Sequence, residues 1–124
     1  MAGTPEGAVK RNIKSVLVTA GAYFFMPVQN GYGADTVDYL GFRKGDGRGF
    51  AVEAKAPGKE PTARQRKRLR AVLETGAAAF VLDGDLRDMR AFTIWLTDCT
   101  MGRDSHAEQM IQKWDIYREE EPIA

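Results

Sequence analysis

The sequence predicts an α/β fold, a mixed β-sheet with helices packed on its faces, and three features of the chain carry that prediction. Two capped amphipathic segments are separated by short apolar runs. Two of those runs, VDYLGFR (37–43) and RGFAVEAKA (48–56), flank KGDGR, whose glycines permit the tight reversal of an antiparallel hairpin. AAAFVLD (77–83) is apolar almost throughout, as expected of a strand buried on both faces. The order helix, three strands, helix, strand packs naturally as a sheet covered by helices, and it makes one domain.

The elements follow in order. Thr4-Pro5-Glu6 starts a helix, with Thr as N-cap, Pro at the first helical position and an acid in the first turn. Val9, Ile13, Val16, Leu17 and Ala20 continue at helical spacing until Gly21. YFFMPV (23–28) reads as a short strand and NGYGAD (30–35) as a loop. After the hairpin, PGKEP (57–61) breaks the chain. Thr62 and Gln65 form a capping-box pair that opens a second helix. Leu69, Val72 and Leu73 are its apolar stripe, and Gly76 ends it before the buried strand. Further on, DLRDMRAF (85–92) is predicted as a short helix, TIWL (93–96) as a short strand and 104–118 as a last helix.

Composition excludes several classes. The 124 residues include one cysteine, Cys99, so no internal disulfide can form and a reducing, cytoplasmic setting is expected. No Cys/His grouping suggests structural zinc, and no apolar stretch is long enough to span a membrane or serve as a signal peptide. The net charge of +1 hides an asymmetry: residues 1–75 carry 13 Lys/Arg against 7 Asp/Glu, and residues 76–124 carry 5 against 10. That split suits a protein meeting a polyanion on one side, and equally a set of solvated helix faces.

The chemistry concentrates in Asp38, Glu53 and Lys55. Strand alternation puts Glu53 and Lys55 on one side and Ala54 on the other. Hard divalent cations such as Mg²⁺ are held by one or two carboxylates with waters and substrate oxygens. Asp38 and Glu53 could supply those carboxylates and the carbonyl of Ala54 a neutral oxygen. Lys55 would position water or neutralise charge in the transition state. An ordinary lysine titrates at about 10.4, too high for a base without a large shift, so the general base is unassigned. An exposed Glu–Lys strand pair would show the same periodicity. Arg64, Arg66, Lys67, Arg68 and Arg70 crowd the next helix, where they could meet phosphates or simply water. A P-loop is rejected because Glu60 follows Gly58-Lys59, and Gly45, Gly47 and Gly49 lack dinucleotide-binding spacing. His106 has no motif around it, while Trp95 and Trp114 suggest core or interface.

Asp38, then Glu53-Ala54-Lys55 followed by Ala56-Pro57-Gly58, then Gln65, resembles the PD-(D/E)XK nuclease superfamily. More narrowly, it resembles the VRR-NUC (virus-type replication-repair nuclease) family. The resemblance covers about residues 4–84 of a single domain, leaving 85–124 as a C-terminal extension. It implies a restriction-endonuclease-like core, Mg²⁺ or Mn²⁺ on Asp38 and Glu53, and Lys55 as catalytic. It also implies Gln65 beside the site and, less directly, Glu6 near the metal. Val37 stands where the family pattern has proline, and Asp35 competes with Asp38 as the ligand.

By the same resemblance the substrate would be DNA, branched or junction DNA as for a Holliday-junction resolving enzyme, gripped by Lys59, Arg64, Arg66, Lys67 and Arg70. A standalone homodimer with a bacterial or phage host is expected. Trp95, Leu96, Met101, Met110, Ile111, Trp114 and Ile116 are available for self-association or for the core. The competing expectations are cleavage of flaps, nicks or linear duplex, a DNA-binding module without catalysis, and a small α/β domain that binds no nucleic acid.

Overall fold

The computed structural model describes residues 3–27, 36–97 and 105–118. Thr4 caps the first helix, α1 (Pro5–Thr19), by accepting a hydrogen bond from the Gly7 N–H at 2.9 Å, and Gly21 leaves it at φ 72°. Four strands follow: β1 (Tyr23–Phe25), β2 (Tyr39–Phe42), β3 (Gly49–Ala54) and β4 (Ala78–Leu82). They make one sheet in the order β1-β2-β3-β4, antiparallel except for the parallel β3–β4 pair. A parallel pair needs a crossover, and α2 (Ala63–Glu74) supplies it. This is the mixed sheet flanked by helices expected of a restriction-endonuclease-like core.

Register divides the sheet into two faces. Tyr39, Val52 and Phe80 lie side by side on one of them, with Phe50 beside Gly41 and Ala78. Val9, Ile13 and Leu17 bury the inner stripe of α1. The rings of Phe50 and Phe80 meet Phe92 and Trp95 of α3 (Leu86–Thr97), with centroids 4.8 to 6.2 Å apart at steep angles. On the opposite face α2 packs against β3 and β4, while Tyr23, Phe25 and Phe42 of the β1–β2 hairpin stay exposed. The final helix, α4 (Ser105–Lys113), packs against β4 and α3.

The hairpin turn is pinned as well as bent. Gly45 and Gly47 take positive φ, and the Arg43 N–H donates to the Arg48 carbonyl at 2.8 Å. The Arg43 guanidinium is buried, lies 4.3 Å from the Trp95 ring centroid and donates to the Trp95 carbonyl at 2.9 Å. Its pairing with Asp46 holds that carboxyl well below the usual range.

Three expectations need correction. TIWL is not a strand but the second half of α3. Met89, Phe92 and Leu96 recur at helical spacing, and burying that stripe outweighs the β-propensity of Thr93, Ile94 and Trp95. Asp38 lies just before β2 and Lys55 just after β3, so neither belongs to a strand. Trp95, Leu96, Met110, Trp114 and Ile116 are buried in the core and do not form a self-association surface. Ile111 packs against that core half-buried, and Met101, Cys99 and Asp35 lie outside the described residues. Among the described residues no helix is long and apolar enough to cross a membrane.

Gly41 gives a direct test of this packing. A Cβ there would lie 2.4 Å from the Tyr23 carbonyl oxygen and 2.8 Å from Phe50 Cζ. Gly41→Ala should therefore cost about 2 kcal/mol of unfolding free energy through overpacking, read from a denaturant titration. An unchanged midpoint would mean that β1 and Phe50 are not held this closely.

Candidate active site

Glu53 is the penultimate residue of β3 and is only 1% exposed. The register pairs Tyr39 with Val52, and continuing it by one residue sets Asp38 opposite Glu53. The Ala54 N–H donates to Asp38 Oδ2 at 2.8 Å, which fixes the Asp38 carboxylate at the end of the strand pair. Asp38, Glu53 and Ala54 line a cleft of about 440 Å³ together with Glu6 and Lys10 from α1, Gln65 and Arg68 from α2, and Met26 and Pro27.

Burying a carboxylate disfavours its charged form, and a second carboxylate nearby adds to the penalty. Burial first, then the charge of Asp38, push Glu53 up to about 7, against the opposing pull of Arg68 and Lys55. Glu53 has polar partners on both oxygens. Gln65 Nε2 donates to Oε2 at 3.2 Å, and Arg68 Nη2 lies 3.4 Å from Oε1. Tyr39 is also raised, by burial and then by Asp38, and its hydroxyl donates to the Lys10 carbonyl at 2.8 Å.

Gln65 does two jobs with one side chain. Its Oε1 accepts from the Thr62 N–H at 2.9 Å, and its own N–H donates to Thr62 Oγ1 at 3.2 Å, which completes the capping box of α2. The same Oε1 accepts from Lys55 Nζ at 3.1 Å. Two donors converge on that atom, so the amide NH₂ faces Glu53, and a flipped amide would oppose donors to donors. The capping role and the role beside the site therefore coexist. The Lys55 ammonium is held on Gln65, its charge reaches Glu53, and its backbone N–H donates to the Leu82 carbonyl at 2.9 Å.

The turn that leaves the site is anchored too. Gly58 takes φ 77°, and its N–H donates at 3.2 Å to Asp83, which follows β4. The other oxygen of Asp83 accepts from the Asp85 N–H at 3.0 Å.

The basic residues of α2 separate by face. Arg66 is 3% exposed and donates to the Pro61 carbonyl at 2.7 Å and the Trp114 carbonyl at 3.1 Å. Arg70 donates to the Ile116 carbonyl at 2.8 Å. Both reach the C-terminal segment; Arg66 is too buried to meet a polyanion as expected, while Arg70 stays half-buried. Arg64 and Lys67 are exposed, as is Lys59 in the turn before α2, while Arg68 belongs to the cleft.

The exposed Glu–Lys pair that strand periodicity equally allowed is ruled out by the burial of Glu53. Glu6 lines the cleft but is half-exposed and ion-paired with Lys10 at 3.7 Å. Lys10, Arg68 and Tyr39 belong to the site although the sequence did not single them out there. A signal for Lys10 existed in its i, i+4 spacing from Glu6, which places both on one helix face.

Among the described residues no group of three or more His, Cys, Asp or Glu side chains is arranged to hold a metal ion. The available set is the Asp38 and Glu53 carboxylates, one of them buried and raised by the other. Such all-oxygen, two-carboxylate sets fit Mg²⁺ or Mn²⁺, which keep several waters. No protein-family model matches the chain, and no curated protein shows a match to it.

The buried glutamate makes stability depend on pH. An acid raised from an ordinary 4.5 to about 7 binds more protons folded than unfolded between those values. Metal-free protein should therefore lose about 3 kcal/mol as pH rises from 4.5 to 7, and level off above. Glu53→Gln should flatten that slope and match or exceed the native protein at pH 8. Equal slopes in urea titrations of the two proteins would show that Glu53 is not the cause.

Proposed function

We propose that this chain is a Mg²⁺- or Mn²⁺-dependent DNA endonuclease of the VRR-NUC kind within the PD-(D/E)XK superfamily. The observation that carries the proposal is the placement of Glu53. A fully buried carboxylate sits opposite Asp38 in an open cleft, where packing alone would favour an apolar side chain. Asp38 and Glu53 would hold the divalent cation, with Ala54 beside them. When bound, that ion would polarise the phosphate and lower the pKa of a bound water.

The remaining groups act around those carboxylates. Gln65 keeps Glu53 oriented and holds Lys55 two residues further on, at 3.1 Å from its Oε1. Rotation of the Lys55 ammonium away from Gln65 would bring it toward the attacking water or the charge that develops on the phosphoryl oxygens. Arg68 supports Glu53 from the other side. Lys59, Arg64 and Lys67 supply exposed positive charge at and before α2 for the phosphate backbone.

Branched DNA is the proposed substrate, cut by a homodimer whose two clefts act on two strands. With the buried tail residues committed to the core, the exposed Tyr23, Phe25 and Phe42 on the sheet are one apolar surface, among the described residues, for self-association. A sedimentation mass of two chains at micromolar protein would support the dimer, and a mass of one chain would remove it.

A labelled four-way junction and a matched linear duplex, each incubated with Mg²⁺, Mn²⁺ or chelator, test the activity. The junction should be cut only with metal. Lys55→Ala and Glu53→Gln should each lower the rate at least ~100-fold while remaining folded. Cutting of the linear duplex alone would replace the branched substrate, and binding without cleavage in either metal would mark a DNA-binding module. Cleavage at the native rate by either variant would overturn the site assignment.

A further inference from the structure

The side chain of Lys10 does more than decorate α1. The helix is already anchored through Val9, Ile13 and Leu17, and the bond from the Tyr39 hydroxyl at 2.8 Å goes to the Lys10 carbonyl, not to its ammonium. The ammonium instead sits in the cleft wall, 3.7 Å from Asp38 Oδ1 and 3.7 Å from Glu6 Oε2. Oδ2 of Asp38 is committed to the Ala54 N–H at 2.8 Å. Oδ1 is therefore the oxygen that meets a cation, and Lys10 is on it.

The other two cations near the cleft are differently placed. Lys55 is held by Gln65, and the Arg68 side chain is 14% exposed against Glu53, whereas that of Lys10 is 37% exposed. A long, flexible, partly solvated ammonium can change partners at small cost. We propose that Lys10 is a tethered counterion that competes with the divalent cation for Asp38 Oδ1. Once displaced, it takes a non-bridging phosphate oxygen of the substrate. Lys10 is thus a positioning residue while it neutralises Asp38 and a binding residue when it meets phosphate. The inference rests on the nuclease proposal above.

Mn²⁺ titration calorimetry on native protein, Lys10→Met and Lys10→Arg separates the two ideas. Methionine keeps most of the stem and removes the charge, and the Tyr39 bond to the backbone is retained. Lys10→Met should bind Mn²⁺ up to about fivefold more tightly, since one partly exposed ion pair no longer competes. Its Mn²⁺-saturated cleavage should show a KM for DNA raised by a similar factor, with Lys10→Arg close to native in both measurements. Native protein that binds Mn²⁺ and cuts DNA, with Lys10→Met of equal Mn²⁺ affinity, would overturn the competition alone. An unchanged KM would overturn the phosphate contact alone. Failure of both native protein and Lys10→Met to bind Mn²⁺ would overturn the nuclease proposal and this one with it.

Discussion

The cost of burying one carboxylate organises the site end of this molecule. Glu53 sits near the end of a buried strand, where an unpartnered carboxylate is costly. Keeping it there requires polar partners at fixed distances, and α2 provides them through Gln65 and Arg68. The helix can provide them only in one register, because rotating α2 by one residue would carry both away from β3. The start of α2 is in turn set by Thr62, and the turn before it is held by Asp83 through Gly58. A buried charge thus specifies the placement of a strand end, a turn and a helix.

The same helix shows how one basic segment can serve two ends. Residues 64–70 carry five positive charges, yet helical geometry turns Arg66 and Arg70 toward the C-terminal segment, where they bond the Trp114 and Ile116 carbonyls. Both carbonyls lie in the turn that follows helix α4. The asymmetry between a basic first part and an acidic second part is therefore partly structural: some of the positive charge is consumed in binding the later residues to the earlier ones.

Much of the fold was legible because its signals are local. Caps at Thr4 and Thr62, glycines in the hairpin turn and the apolar run of β4 each act within a few residues, and each held. TIWL was misjudged because four residues taken alone show β-propensity, while the helical stripe begins earlier, at Met89. Within the site, Asp38, Glu53, Lys55 and Gln65 could be singled out, and the structure brings them together at one end of β3. What the sequence could not display was partnership across elements. The contact of Lys10 with Asp38 joins α1 to the start of β2, and nothing within residues 64–70 distinguishes the inward Arg66 from the outward Lys67.

The double duty of Gln65 limits how this chain can vary. Glutamate would keep the capping geometry but set a third negative charge against Glu53. Leucine would keep the volume and lose both the cap and the carboxylate's donor. Asparagine is one methylene too short to reach Thr62 and Glu53 together. Each substitution acceptable to one demand violates the other, so drift at position 65 is confined far more tightly than its half-exposed setting would suggest, and compensating changes would have to arise at Thr62, Lys55 and Glu53 together.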